Sequence, residues 1–276
     1  LNESGLQYSK NISSPLTSPD SCSRLSSFLA FGNISMRQVV QATKIRQNQL
    51  RKNKVRNGWL KSLSAFSSRL RWHCHFIQRL EFETTMDEIA INPELDEHLE
   101  RIHDEKRYQA WAKGQTGWPF FDACMRSLIA TGWINFRMRA MLQSVGSYTL
   151  WLPWQDTGLQ LANLFLDYEP GIHWSQVQMQ SGVTGINSIR MYSPVKQQKD
   201  HDPEGVFVRK WVPELKKIPL DYIFSPHLMS EGFQKLYSCK IGEDYPEPIV
   251  DHNLQVKKAK KILYGIKSTQ EAKIEA

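Results

Sequence analysis

No run of about 18 apolar residues occurs in this chain, so no membrane-spanning helix is expected. Cysteine is scarce. Cys22, Cys74, Cys124 and Cys239 lie far apart with no CxxC pair, which argues against a disulfide framework or a zinc finger and for reduced thiols in a cytoplasmic setting. GxGxxG and GxxxxGK[ST] are both missing, which removes the Rossmann and P-loop nucleotide sites. The GxSxG elbow that would support a Ser/His/Asp nucleophile is missing as well. No signal peptide is visible and the first residue is not Met, so the chain reads as beginning inside a longer parent or after processing.

What is present is an ordinary globular balance: 276 residues, 41% hydrophobic and 23% charged. Without an internal repeat or a compositional break, one domain is expected, with a loop-like lead-in over 1–20 and a basic tail over 252–276. The net charge of +7 is unevenly spread, because "KIRQNQLRKNKVR" (44–56) holds six cations and no anion. Such a run is either a solvated face or a phosphate-binding surface, on which Arg51, Lys52 and Lys54 are the candidate contacts. The tail is polar and terminal, so fraying is expected there.

Helical periodicity dominates. Ser35 and Gln38 have the spacing of a capping box, and Asn92–Pro93 that of a cap followed by proline in the first turn. Phe121, Cys124, Met125 and Leu128 follow the i, i+3, i+4, i+7 pattern of a buried face, as do Met138, Met141, Leu142 and Val145, then Leu161, Leu164, Phe165 and Tyr168. No segment alternates with period two, so the fold class is all-α. Three stretches resist a helical reading: 11–21, the long Gly/Gln/Asn-rich 169–205, and 238–251.

"TGWINFRMRA" (131–140) starts a helix with Arg137 and Arg139, which point to nearly opposite faces. One of them faces inward and requires an anion. "LFLDYEPG" supplies two, Asp167 and Glu169, at the end of an amphipathic helix stopped by Pro170. A short connection would bring Arg139 to them, as a structural ion pair or as part of a site. His173 and Trp174 follow at once, and an acid, an imidazole and an indole together suit a planar polar heterocycle such as a flavin. "SCSRLSSF" (21–28) is a small hydroxyl-rich turn entering a helix, a weak phosphate-binding signal. In "WHCHF" (72–76), His73, Cys74 and His75 diverge by about 100° per residue and cannot chelate one ion, so no metal is expected.

In their order, "SCSRLSSFLAFGNISMRQV", "WAKGQTGWPFFDACMRSLIATGWINFRMRAMLQSV", "LFLDYEP", "YSPVKQQKDHDPEGVFVRKWVPEL" and "YPEPIVDH" resemble the photolyase/cryptochrome family, specifically its helical FAD-binding half. The resemblance implies an all-α domain holding FAD, and an α/β antenna domain upstream in the parent chain. It implies that Ser23, Leu25 and Ser26 hold the diphosphate with Tyr8 nearby, that Arg139 pairs with Asp167 beside the flavin, and that Glu169 is the second acidic position. His173 matches the residue opposite flavin N5, and Trp154 the middle member of the family's electron relay.

The departures from the family pattern bear on activity. Phe136, counted among the cofactor-binding positions, stands at the usual asparagine of W-x-x-N-R, and "WHCHF" replaces the WRE motif of the lesion-facing helix. Val177 stands where the flavin-proximal tryptophan is usual, with Trp174 three residues away as a candidate substitute, and no tryptophan matches the outer relay position upstream of Trp111. The implied activity is light-driven electron transfer from FAD to pyrimidine dimers in damaged DNA. The alternatives are a blue-light photoreceptor or redox flavoprotein without repair, and a nucleic-acid-binding module that has lost FAD, against which Arg139 and Asp167 argue.

Overall fold

In the computed structural model, residues 4–185 and 188–267 are described. Helix is the dominant element, and among the described residues the only β contact is an isolated bridge between Ile241 and Tyr245. The all-α expectation holds. Ser35 and Gln38 form the reciprocal capping box that opens the basic helix Met36–Lys52. This helix packs against the long helix Trp59–Phe82, with Leu50 beside Trp59 and Leu63 near the connection and Val39 beside Phe66 and Leu70 at the other end. The two therefore run antiparallel.

The main core lies between helices Pro119–Thr131 and Phe136–Ser144. Phe121, Cys124, Met125, Leu128, Met138, Met141, Leu142 and Val145 are all 0% exposed, as their spacing requires. Each such side chain contributes roughly 1.5–3 kcal/mol when fully buried. The second helix passes directly into a π-helical turn, Val145–Thr149, and then into helix Trp154–Leu164.

Segment 169–205 departs from expectation, because it contains helices Pro170–Ser181 and Pro194–His201. Pro170 does not end the preceding helix, which stops at Leu164; it opens the next one at a position where its missing N–H costs nothing. The Pro170 helix shows no apolar stripe because Gly171, His173, Trp174, Ser175, Val177, Gln178 and Ser181 are buried on several of its faces. Gln178 is completely used: its Nε2 donates to Met86 and Ile89 carbonyls at 2.7 and 2.9 Å, and its Oε1 accepts from Ile91 N at 2.7 Å.

The lead-in also differs, with short helical turns at Ser4–Gln7, Tyr8–Asn11 and Ser18–Ser21. Too short to stand alone, the first two are held by Ser62, whose hydroxyl donates to Leu6 O at 2.7 Å, and by Tyr8 against Phe66. The basic tail is not frayed over its described part. His252–Lys267 is a helix whose Ala259 and Leu263 are 0% exposed and pack with Tyr148, Trp154 and Trp174. Residues 268–276 lie outside the described residues.

Two glycines set how closely the site helices approach. A Cβ on Gly171 would stand 2.7 Å from Phe76 O and 2.9 Å from Ile77 Cα, both backbone atoms of the long helix. One on Gly158 would meet the Trp174 ring at 2.5 Å. Gly171→Ala should therefore destabilise by about 1–3 kcal/mol, since backbone must move. Urea denaturation should show a lower midpoint at unchanged slope. Gly232→Ala, whose Cβ would meet only Ser230 Oγ at 3.9 Å, is the control and should cost nothing.

Candidate functional site

Arg139 and Arg137 separate as their spacing requires. Arg139 Nη2 donates to Asp167 Oδ2 at 2.9 Å, its Nε donates to Ile134 O at 2.8 Å, and its guanidinium lies 4.1 Å from the Phe165 ring centroid. Asp167 is brought there by the turn after Leu164, which is tied back by Leu166 N donating to Gly132 O at 2.9 Å. The Asp167 side chain is only 4% exposed. Burial pushes its carboxyl up, but the charge and hydrogen bond of Arg139, with the nearby Ser26 hydroxyl, outweigh burial and hold it below its usual value.

The other carboxylate oxygen, Asp167 Oδ1, is shielded from solvent and has no hydrogen-bond partner of normal geometry. A buried acceptor left in this state is what a ligand N–H would satisfy. Beside it, His173 Nε2 donates to Gly158 O at 2.8 Å, and its ring stands edge-on to Phe165 at 5.7 Å and Tyr168 at 5.3 Å. Burial pushes the His173 pKa down to about 4, opposed by the Gly158 bond and reinforced by Arg139, so the imidazole is neutral near pH 7. Trp174 stacks edge-on to His173 at 5.0 Å and to Trp154 at 6.0 Å, with Val177 in the same cluster.

The hydroxyl turn lies on the same side. Ser26 opens a helix of five residues and approaches Asp167, Leu25 packs with Tyr8 near Phe66, and Ser23 is exposed. Tyr8 is pushed up to about 12 by burial, then by Cys22, against Arg69. Glu169 stands at the start of the Pro170 helix without a side-chain cap bond, and its charge acts on His73 of the long helix. Phe136 is 41% exposed, with the Arg69 guanidinium 4.5 Å from its ring and that of Arg137 at 5.5 Å. One turn beyond Arg69, Trp72 is 49% exposed and stacks on Phe76 at 5.5 Å.

The sequence marks Phe165 only as a buried helix position and Trp72 only as part of the stretch at the lesion-facing helix, and it carries no sign of Arg69 or of the Gly158 carbonyl. The long helix packing on the Pro170 helix carries Arg69 and Trp72 there, and the Trp154 helix packing on the same helix carries Gly158 and Phe165. Arg51, Lys52 and Lys54 are not gathered there. They lie at the opposite end of the basic helix from Val39, about 18 Å along its axis from Val39 to Arg51 at 1.5 Å per residue. Trp111 is also apart: it is buried in the main core, donates to Leu142 O at 2.9 Å and stacks on Tyr108.

The model of the FAD-binding domain of DNA photolyase matches residues 66–264 of this chain. A deoxyribodipyrimidine photo-lyase of Alkalihalophilus pseudofirmus is 36% identical over 165 residues, covering 59% of this chain and 34% of that protein. Cryptochrome-2 of Arabidopsis thaliana is 32% identical across 98% of this chain and 43% of its own length. A bacterial class III photolyase from Agrobacterium tumefaciens superposes with a TM-score of 0.84 at 29% identity, covering 95% of this chain and 53% of that one. The chain thus belongs to the photolyase/cryptochrome family and comprises its all-α FAD-binding domain; the cofactor is FAD. It spans about half or less of the length of these relatives.

The residues present fit that cofactor. Asp167 offers an unsatisfied buried acceptor, Arg139 a fixed charge, and His173 a neutral ring. Bound FAD supplies a light-absorbing, redox-active ring. The protein's part is to hold it, exclude water and fix the charges around it.

The neutral state of His173 has a consequence for stability. Unfolded histidine protonates near pH 6.5, so between there and about pH 4 the unfolded chain binds more protons and stability falls as pH falls. The contribution is complete above about pH 6.5 and amounts to at most about 3 kcal/mol. Asp122, pushed up by burial to about 6, acts in the opposite sense and is shared by parent and variant. Urea midpoints measured from pH 7 to pH 4 should fall less steeply for His173→Gln than for the parent.

Proposed function

We propose that this chain is the flavin-binding part of a light-driven, photolyase-type enzyme that repairs pyrimidine dimers in DNA. The observation that carries this reading is the mouth of the site. Phe136 is a large, partly exposed aromatic surface framed by the guanidinium groups of Arg69 and Arg137, and Trp72, one turn beyond Arg69 on the long helix, is a second exposed ring. Aromatic faces stack on bases taken out of a duplex, and flanking cations hold the phosphates on either side. Trp174 and Trp154 are the electron-supplying indoles in this reading, and His173 is the neutral group beside the flavin ring.

The basic stretch 44–56 fits the same reading without touching the site. The roughly 18 Å along the basic helix corresponds to about five base pairs of B-DNA at 3.4 Å each. Arg51, Lys52 and Lys54, all exposed, are then contacts to the flanking backbone rather than to the lesion.

Phe136 favours the second reading, a photoreceptor or redox flavoprotein without repair. An apolar ring at the mouth offers no hydrogen bond to a base edge, whereas the asparagine usual in repair enzymes does.

A dimer-containing oligonucleotide, illuminated with blue light in the presence of the reduced, FAD-loaded protein, decides between them. Repair in the light and none in the dark is the expected outcome; photoreduction of the oxidised protein with no repair by the reduced one supports the photoreceptor reading. Trp72→Ala should weaken binding of the damaged strand by about 1–3 kcal/mol, with FAD content unchanged.

A further inference from the structure

The two indoles beside the site differ in what accepts their N–H. Trp174 Nε1 donates to the hydroxyl of Tyr168 at 3.1 Å, a neutral and weakly basic oxygen. Trp154, which is 0% exposed, donates its Nε1 proton to Asp96 Oδ2 at 3.0 Å. Asp96 sits in the short helix Pro93–Glu97, fixed by the Asn92 cap, and is partly open to solvent. Tryptophan N–H groups withdrawn from water usually find a hydrogen-bond partner, and a backbone carbonyl serves well. Trp111 and Trp151 do so here, donating to Leu142 O and Leu99 O. Among these four indoles, Trp154 alone is bonded to a carboxylate.

We propose that Asp96 makes Trp154 the resting place of the electron hole and removes its proton. The inference rests on the reading of Trp174 and Trp154 as electron donors. Trp174 gives one electron to the photoexcited, oxidised flavin; Trp154, with its ring centroid 6.0 Å away, gives one electron to refill Trp174. Trp154 is left as a radical cation, whose indole N–H is far more acidic than that of the neutral ring. The Nε1 proton passes along the existing hydrogen bond to Asp96, leaving a neutral indolyl radical and a carboxylic acid. The partly exposed carboxyl then exchanges its proton with water.

Electrostatics sets the direction. A negative charge in contact with one indole and not the other favours oxidation of the first, and more strongly in a poorly solvated interior than in water. Loss of the proton then opposes the electron's return, because recombination must also bring the proton back. Asp96 is a positioning and proton-accepting residue on this account; it touches Trp154 and not the site of repair.

The test compares parent and Asp96→Asn, which keeps a hydrogen-bond acceptor but removes the charge and the base. In the FAD-loaded protein, transient absorption after a blue flash should show the neutral indolyl radical in the parent. In Asp96→Asn the radical cation should persist and recombine at least about tenfold faster, as loss of a contacting charge implies. Direct ultraviolet photoionisation of the indoles in the same samples, with Trp154→Phe as background, forms the radicals without the flavin. An Asp96-dependent deprotonation in this arm, with no radical after the blue flash, would sustain the role of Asp96 and reject the flavin-driven relay. Identical spectra and decays for parent and Asp96→Asn in the ultraviolet arm would overturn the proposal. If Asp96→Asn folds poorly, the parent alone decides: deprotonation should be several-fold slower in heavy water, and an unchanged rate would overturn it.

Discussion

A carboxylate almost completely withdrawn from water, answered by one guanidinium, is the interaction on which the site depends. Arg139 comes from the Phe136 helix and Asp167 from the turn after the Trp154 helix, and the carboxylate is not tolerable alone at that depth. Their bond fixes the turn after the Trp154 helix. That turn places Phe165 beneath Arg139, and Phe165 and Tyr168 against the His173 ring. Ser26 reaches the same carboxylate from the lead-in side, so the hydroxyl turn and the flavin-facing acid are one unit. A pair of this kind adds little net stability against an apolar replacement. What it provides is a fixed charge and an acceptor, Asp167 Oδ1, still to be satisfied.

The floor of the site is made rigid by other means. Gly158 and Gly171 allow backbone and indole to touch where any side chain would hold them apart. Deeper still, Arg101 donates to the carbonyls of Ser147, Leu152 and Ser181, tying the π-helical turn to the end of the Pro170 helix. Burial pushes this guanidinium down to about 10, so it remains charged at neutral pH. Gln143, one turn beyond Arg139 on the same helix face, meets the hydroxyls of Ser147, Thr157 and Ser181 within 3.1 Å. Charge and polar bonds thus hold the helices that apolar packing alone would leave free to slide.

The parts of this arrangement legible in the sequence were those governed by local rules. Capping at Ser35 and Asn92, and the apolar faces around Phe121 and Met138, follow from spacing. Two arginines two apart cannot share a partner, which pointed one of them to Asp167 or Glu169, and the resemblance to the family singled out Arg139 with Asp167. The Pro170 helix was not legible, since its buried positions mix Trp174 and Val177 with Gly171, His173, Ser175, Gln178 and Ser181 on several faces and leave no apolar stripe. Its opening proline looked like a stop. In the C-terminal helix, four exposed lysines between 257 and 261 masked Ala259 and Leu263, spaced four apart against the core. Arg69 meets Phe136 only through tertiary packing, which no local pattern encodes.

The central claim is that the Arg139–Asp167 pair organises the flavin site, and FAD titration of Arg139→Ala tests it most directly. A charge-assisted bond of about 1.5–3 kcal/mol corresponds to roughly a 10–150-fold rise in the FAD dissociation constant, measured by flavin fluorescence with helicity unchanged in circular dichroism. Binding within twofold of the parent would contradict the account.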